Sequence, residues 1–269
     1  IIRRADGSWL YLLPSVIDDV DMGITHVVRG EDHVSNTAAQ AQMFEALGAS
    51  PPEFAHEALL VGTEGKLSKR LGSLGMGALR DSGIEPAAIV SLLARLGTSD
   101  PVEPVIDVQP LVDTIDFGRF GRAPARFDEA ELELINQKIL HQRPYADVAD
   151  RLPASITEAR WNVIRPNLSS LAEAGDWTAV FDGPFTAPAP EADALPVLDA
   201  AVTAIAGVAW DAQAWKSLTN AVKEASGAKG RALFLPLRRA LTGLDHGPDM
   251  GELLPLIDKE QAAQRLAQR

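Results

Sequence analysis

The stretch Thr25-His26-Val27-Val28-Arg29-Gly30, with Ser35-Asn36-Thr37 and an apolar stripe at Ala39, Met43, Phe44 and Leu47 behind it, decides how the first part of this chain folds. Thr25 to Val28 is a short β-branched run of the kind that forms a buried strand. Ser35, Asn36 and Thr37 can each cap a helix, the stripe has helical spacing, and Gly48 falls where helices end in a left-handed residue. Pro51-Pro52 stops that helix, and His56 to Val61 reads as another strand. Strand, helix, strand is the unit of a parallel sheet with a right-handed crossover. Trp9 to Leu13 is expected as a further strand and Ser15 to Met22 as an acidic, helix-compatible turn. So small a sheet leaves edges unpaired and a face uncovered, so its other half is expected to be missing.

Beyond residue 62 the pattern changes. Gly62, Gly65, Gly72, Gly75 and Gly77 punctuate a loop with basic residues between them. From Glu85 to Leu96 the spacing is helical, with Ile89, Leu92, Leu93 and Leu96 on one face and Gly97 at the end. Leu111 to Ile115, Glu129 to Leu140 and Tyr145 to Leu152 read as helices, as do Trp161 to Leu171, Leu195 to Val208, Ala212 to Ala225 and Arg231 to Thr242. A proline-rich loop runs from Gly183 to Pro190. The expected fold class is mainly α with a truncated α/β part.

Composition narrows the chemistry. The chain has 269 residues, 46% hydrophobic and 23% charged, which is globular rather than disordered. It has no cysteine, which excludes disulfides, iron–sulfur clusters, a thiolate nucleophile and a Cys-type zinc site. The five histidines are scattered, and no metal site is expected. A net charge of −12 repels phosphate, so RNA contact would need local basic clusters. The longest apolar stretch, Ala87 to Leu93, is far too short to span a bilayer. A soluble cytoplasmic protein is expected. The chain opens Ile1-Ile2-Arg3-Arg4, without an initiator methionine, and is expected to be a piece of a longer polypeptide.

Lys66-Leu67-Ser68-Lys69-Arg70 places three cations in five residues, in a glycine-flanked loop after a strand. Such a loop suits a polyphosphate, because lysines follow phosphoryl oxygens as charge moves and glycines let backbone approach the anion. By itself the pentapeptide reads as a solvated basic loop rather than a site. Arg29 stands at the carboxyl end of the expected parallel strand, where open α/β sheets bind ligands, and its guanidinium can fork onto a carboxylate. Without further context Arg29 reads as a surface ion-pair residue and Tyr11 as core. Asp18, Asp19 and Asp21 read as a helix start rather than a metal site. Arg119, Arg122 and Arg126 form the best local basic cluster, with a solvated, internally paired face as the alternative. Arg160, Arg165, Lys229, Arg231, Arg238 and Arg239 are further basic candidates, whereas Trp161, Trp177, Trp210 and Trp215 read as core.

Lys66 to Arg70 resembles the second signature of class I aminoacyl-tRNA synthetases, in the Lys-Leu-Ser-Lys-Arg form of the glutamyl-tRNA synthetases. The run Asp18 to Thr37, the stretch Gly118 to Asp128 with Leu134-Ile135-Asn136, and Lys229 to Arg238 with Leu241-Thr242-Gly243 resemble the same family in order along the chain. The family's first signature, His-Ile-Gly-His, is absent from the sequence. The resemblance implies the second half of the nucleotide-binding catalytic domain at 1–62, the signature loop and a helical stem-contact domain at 63–153, and an all-α anticodon-binding domain at 154–269.

It also implies ATP-dependent activation of L-glutamate to the adenylate and transfer to tRNA(Glu), by a monomer, with magnesium arriving on ATP. Lys69 and Lys66 would be the catalytic cations. Lys66, Ser68, Lys69, Leu59 and Leu60 would bind ATP, while Tyr11, Ser15 and Arg29 would bind glutamate. Arg119, Arg122 and Arg126 would contact tRNA. Glu31-Asp32-His33 borders the ATP site in the family. The piece alone is expected to be inactive. The alternatives are a glutaminyl-tRNA synthetase, whose anticodon portion is largely β-barrel, and a non-catalytic tRNA-binding protein.

Overall fold

The structure is a computed structural model that describes residues 2–62, 65–66, 75–183 and 187–268. The chain divides into two compact units, Ile1–Ala78 with Ile89–Leu132, and Leu79–Ala88 with Glu133–Arg269. The chain is mainly α with a small α/β part.

In the first unit, α1 (Leu12–Asp21), β1 (His26–Gly30), α2 (Val34–Ala46) and β2 (Glu53–Glu57) follow in order. β1 and β2 pair in parallel, with His26 opposite Glu53 and Arg29 opposite His56, as the strand–helix–strand pattern predicts. Helix α1 packs on α2, and Val16 and Phe44 are buried. α2 ends at Ala46, with Leu47 as its cap and Gly48 left-handed at φ 75° beyond it. A second small sheet places β3 (Leu60–Gly62) between β4 (Gly65–Lys66), antiparallel, and β5 (Ala125–Phe127), parallel. The helices α3 (Met76–Asp81), α4 (Pro86–Leu93), α5 (Gln109–Thr114) and α6 (Glu129–Leu140) complete the middle of the chain.

Several local expectations are corrected. Trp9 to Leu13 is not a buried strand. Asp6 accepts hydrogen bonds from the Ser8 amide and hydroxyl, closing a turn that leaves Trp9 in a single bridge with Arg3. Trp9 is exposed beneath the Arg3 guanidinium, and α1 begins already at Leu12. Asp18, Asp19 and Asp21 therefore lie at the carboxyl end of a helix, not at its start. Ser35, Asn36 and Thr37 do not cap α2. A 3₁₀ turn at Glu31–His33 leads into it instead, and the Val34 amide donates to the Glu31 carbonyl. The expected strand from His56 to Val61 is two strands in two sheets, broken at Ala58-Leu59. Leu93 is exposed, since the buried stripe runs through Glu85, Ala88, Ser91 and Leu92. Tyr145 to Leu152 forms two 3₁₀ turns, because the extended φ of −129° at Val148 interrupts helical geometry.

The second unit continues through α7 (Glu158–Ile164), α8 (Trp177–Asp182), α9 (Leu195–Ile205), α10 (Ala214–Ser226), α11 (Arg231–Thr242), α12 (Met250–Leu253) and α13 (Lys259–Ala267). One continuous apolar core runs from Leu140 to Leu266 and includes Trp161, Phe181, Leu218 and Leu237. Burying a side chain of that size contributes about 1.5–3 kcal/mol. Thr157, Asp249 and Asp258 cap α7, α12 and α13, accepting from the amides of Arg160, of Gly251, and of Glu260 and Gln261. Gly227 and Gly243 end α10 and α11 with φ of 70° and 75°. Two polar knots sit inside this apolar frame. Arg265, only 4% exposed, donates to the carbonyls of Val180 and Leu241, in the last turns of α8 and α11, and to the Ala179 carbonyl, which also accepts from the Gly183 amide. Asn136 accepts from the Glu85 amide at 2.8 Å and donates to the Ser169 carbonyl at 3.1 Å, while the Glu85 carboxylate accepts from Arg143 and Arg151.

Candidate functional site

Arg29 is the next-to-last residue of β1, so the parallel pair delivers its guanidinium to the carboxyl end of the strands. Its Cζ lies 5.2 Å from the centre of the Phe54 ring. Nη1 donates to the Tyr11 hydroxyl at 3.2 Å and Nη2 to the Thr37 hydroxyl at 2.7 Å, while Nε is buried without a partner. A guanidinium carries five N–H donors. With one buried and two committed, one N–H remains on each Nη, which matches the two oxygens of a carboxylate. At the next residue a side chain would press on its neighbours. A Cβ on Gly30 would lie 2.7 Å from Asp32 Oδ1 and 3.1 Å from a Leu59 methyl.

The other expected glutamate residues flank this group. Tyr11 is exposed and meets the His33 ring edge-on at 5.3 Å between centroids. Ser15, on α1, donates to the Leu12 carbonyl and accepts from Gln40 Nε2 at 2.7 Å. Gln40 is 2% exposed and lies one turn beyond Thr37 on α2, so Ser15 ties the two helices beside Arg29. Leu59 and Leu60 expose their side chains at the start of β3, and the Leu59 carbonyl is already taken by the Ala125 amide at 3.1 Å. Lys66 pairs through its backbone with Val61; its side chain, Ser68 and Lys69 lie outside the described residues.

The basic cluster divides. Arg119 is held by Asp100 at 2.7 Å, Arg122 is exposed, and Arg126 occupies the exposed middle position of β5 between buried Ala125 and Phe127. In the helical unit, Arg160 pairs with Asp182, Arg239 pairs with Asp245 and Glu191, and Arg165 and Arg238 donate to backbone carbonyls. Lys229 and Arg231 are exposed. Trp161 and Trp177 are buried, and Trp210 and Trp215 pack partly buried against the same core, as expected. Among the described residues no group of three or more His, Asp or Glu side chains could hold a metal ion, and no helix is long and apolar enough to cross a membrane. Thr37, Phe54, Gln40 and His56 escaped sequence reasoning. For His56 the signal is the strand register, which sets it opposite Arg29.

Residues 1–133 match the family described as tRNA synthetases class I (E and Q), catalytic domain, and residues 137–269 match an anticodon binding domain. The chain therefore belongs to the class I tRNA synthetases of the E and Q branch. Within that class it is similar to glutamate–tRNA ligases. It is 75% identical to Glutamate–tRNA ligase 2 of Sphingopyxis alaskensis, over 99% of this chain and 61% of that protein. It is 60% identical to Glutamate–tRNA ligase 1 of Novosphingobium aromaticivorans, over 99% and 60%. A crystal structure of a glutamate tRNA ligase from Elizabethkingia meningosepticum shares the fold, with a TM-score of 0.81 at 24% identity, covering 99% of this chain and 61% of that one. The chain thus spans about 60% of the length of the relatives it matches.

Proposed function

We propose that this chain supplies the amino-acid and signature-loop side of a glutamate–tRNA ligase, which activates glutamate with ATP and transfers it to tRNA(Glu). The observation that carries this reading is the forked pair of uncommitted N–H groups on Arg29, beside Tyr11, at the carboxyl end of a parallel strand pair. Arg29 grips a carboxylate of glutamate, Tyr11 adds a neutral hydrogen bond, and Ser15 lines the same side. A carboxylate that attacks the α-phosphorus has no proton to lose, so the step asks for positioning and charge stabilisation rather than a base. Lys69 and Lys66 neutralise the departing pyrophosphate, and Ser68 helps hold the loop on the phosphates. Leu59 and Leu60 offer exposed apolar side chains to the adenine. The backbone at Leu59 and Leu60 reads the adenine edge, the Leu59 carbonyl keeping a second lone pair beside its bond to the Ala125 amide. ATP brings Mg²⁺ with it.

Arg122 and Arg126 are exposed and suited to tRNA phosphates, whereas Arg119 must first leave Asp100. In this reading residues 1–62 belong to the catalytic domain, 63–153 to the signature loop and stem-contact domain, and 154–269 to the anticodon-binding domain of a cytoplasmic monomer. The helices from Glu158 to Ala267 favour glutamate over glutamine as the amino acid charged, since the glutamine enzymes carry a barrel there. The test is pyrophosphate exchange by the complete polypeptide of the reading frame. Exchange is expected only with L-glutamate, in the presence of tRNA(Glu), and Arg29→Ala should raise the glutamate KM at least about 100-fold. Equal exchange with L-glutamine, or an unchanged glutamate KM in Arg29→Ala, would defeat the reading.

A further inference from the structure

We propose that Thr37 and His56 are positioning residues for the carboxylate site: an Nε2–H of His56 and the His33 carbonyl lock the Thr37 hydroxyl, and that hydroxyl holds Arg29 Nη2. The inference rests on the reading of Arg29 as the residue that grips the amino acid.

The argument is a donor count. The Thr37 hydroxyl makes three contacts: 3.2 Å to the His33 carbonyl, 2.7 Å to Arg29 Nη2 and 2.8 Å to His56 Nε2. A hydroxyl has one proton and two lone pairs. The carbonyl can only accept and the guanidinium can only donate. The hydroxyl proton therefore goes to His33, one lone pair takes Arg29, and the other is satisfied only if His56 carries its proton on Nε2. All three contacts are hydrogen bonds in that one arrangement. The back-bond to the carbonyl four residues earlier, with the β-branch, fixes the Thr37 rotamer on α2.

This matters because Arg29 has few other anchors. Its Nε makes no hydrogen bond, Tyr11 is an exposed partner at 3.2 Å, and the Phe54 ring restrains only the guanidinium plane. Thr37 offers the shorter of its two hydrogen bonds, and that bond decides which N–H groups stay free. His56 reaches Thr37 because β1 and β2 are in parallel register, with Arg29 and His56 as partners. No spacing in the sequence marks either residue.

The test uses the complete polypeptide, with pyrophosphate exchange measured against glutamate and ATP separately. Thr37→Val, close in shape but without the hydroxyl, should raise the glutamate KM about 10- to 100-fold and leave the ATP KM within about twofold. Thr37→Ser should restore most of the loss. His56→Gln, which can present an amide N–H near the position of Nε2, should rescue what His56→Leu loses. An unchanged glutamate KM in Thr37→Val, or equal rises in both KM values, overturns the proposal. Arg29→Ala in the same assay separates the two levels: if it alone raises the glutamate KM, only the positioning role falls, and if it has no effect both fall. Nitrogen-15 shifts of labelled His56 give an independent reading, with protonation at Nε2 expected and a neutral ring protonated at Nδ1 overturning the lock.

Discussion

Replacing Asn136 with alanine should weaken the helical unit far more than a surface substitution would. Asn136 is 1% exposed, its Oδ1 accepts from the Glu85 amide at 2.8 Å, and its Nδ2 donates to the Ser169 carbonyl at 3.1 Å. The Glu85 amide precedes the first turn of α4, where helical partners do not exist. Alanine leaves that buried amide unpaired and takes a donor from the carbonyl of the exposed Ser169. At about 1–3 kcal/mol for one buried unpaired group, the cost is about 2 kcal/mol. Urea unfolding followed by tryptophan fluorescence reads this directly, because Trp161, Trp177, Trp210 and Trp215 all lie in that unit. With a slope of about 2 kcal/mol per molar urea, the midpoint should fall by about 1 M at unchanged slope. Asn136→Asp keeps the acceptor but loses the donor and buries a charge, so it should be at least as damaging. A midpoint shift below about 0.3 M for Asn136→Ala would refute the assigned role of this side chain.

Three further outcomes follow from the same unit. Arg265→Leu removes a donor from the carbonyls of Val180 and Leu241, and one of two from Ala179, and should cost about 3 kcal/mol in the same unfolding assay. Burial pulls the Arg265 pKa down, and the Asp182 carboxylate opposes this. Gly227→Ala tests backbone strain alone, since a Cβ there meets nothing within 4 Å while φ is +70°; a loss of about 1 kcal/mol is expected. The Arg239 guanidinium, by hydrogen bond first and charge second, holds the Asp245 carboxyl below its usual 3.8. A depressed folded pKa stabilises fully above that value and progressively less as pH falls below it. Asp245→Asn should therefore show less acid sensitivity than the parent between about pH 5 and pH 2 in thermal melts, and salt should shrink the difference.

What could be read from the sequence had local causes. The helix after Gly30, its glycine end and the parallel partner strand follow from periodicity and punctuation, and they put Arg29 at the end of a strand. The bounds of α6 and α11 were legible to the residue, from apolar spacing and flanking turn chemistry. The errors were also local in origin. Trp9 reads as strand because aromatic residues favour sheets, yet the Asp6–Ser8 turn exposes it. Ser35 to Thr37 read as caps, but the backbone of the Glu31–His33 turn supplies the entry to α2, which frees Thr37 for other partners.

Amino-acid order alone determined the mainly helical class, the parallel strand pair, the strand-end placement of Arg29 and the cationic run Lys66 to Arg70. Tertiary structure alone decided which N–H groups of Arg29 stay open, that Arg119 is spent on Asp100, and that Asn136 and Arg265 serve backbone groups far away in sequence. Periodicity records which face of an element is apolar. Hydrogen-bond partners depend on distances of a few ångströms between elements, and only packing sets those.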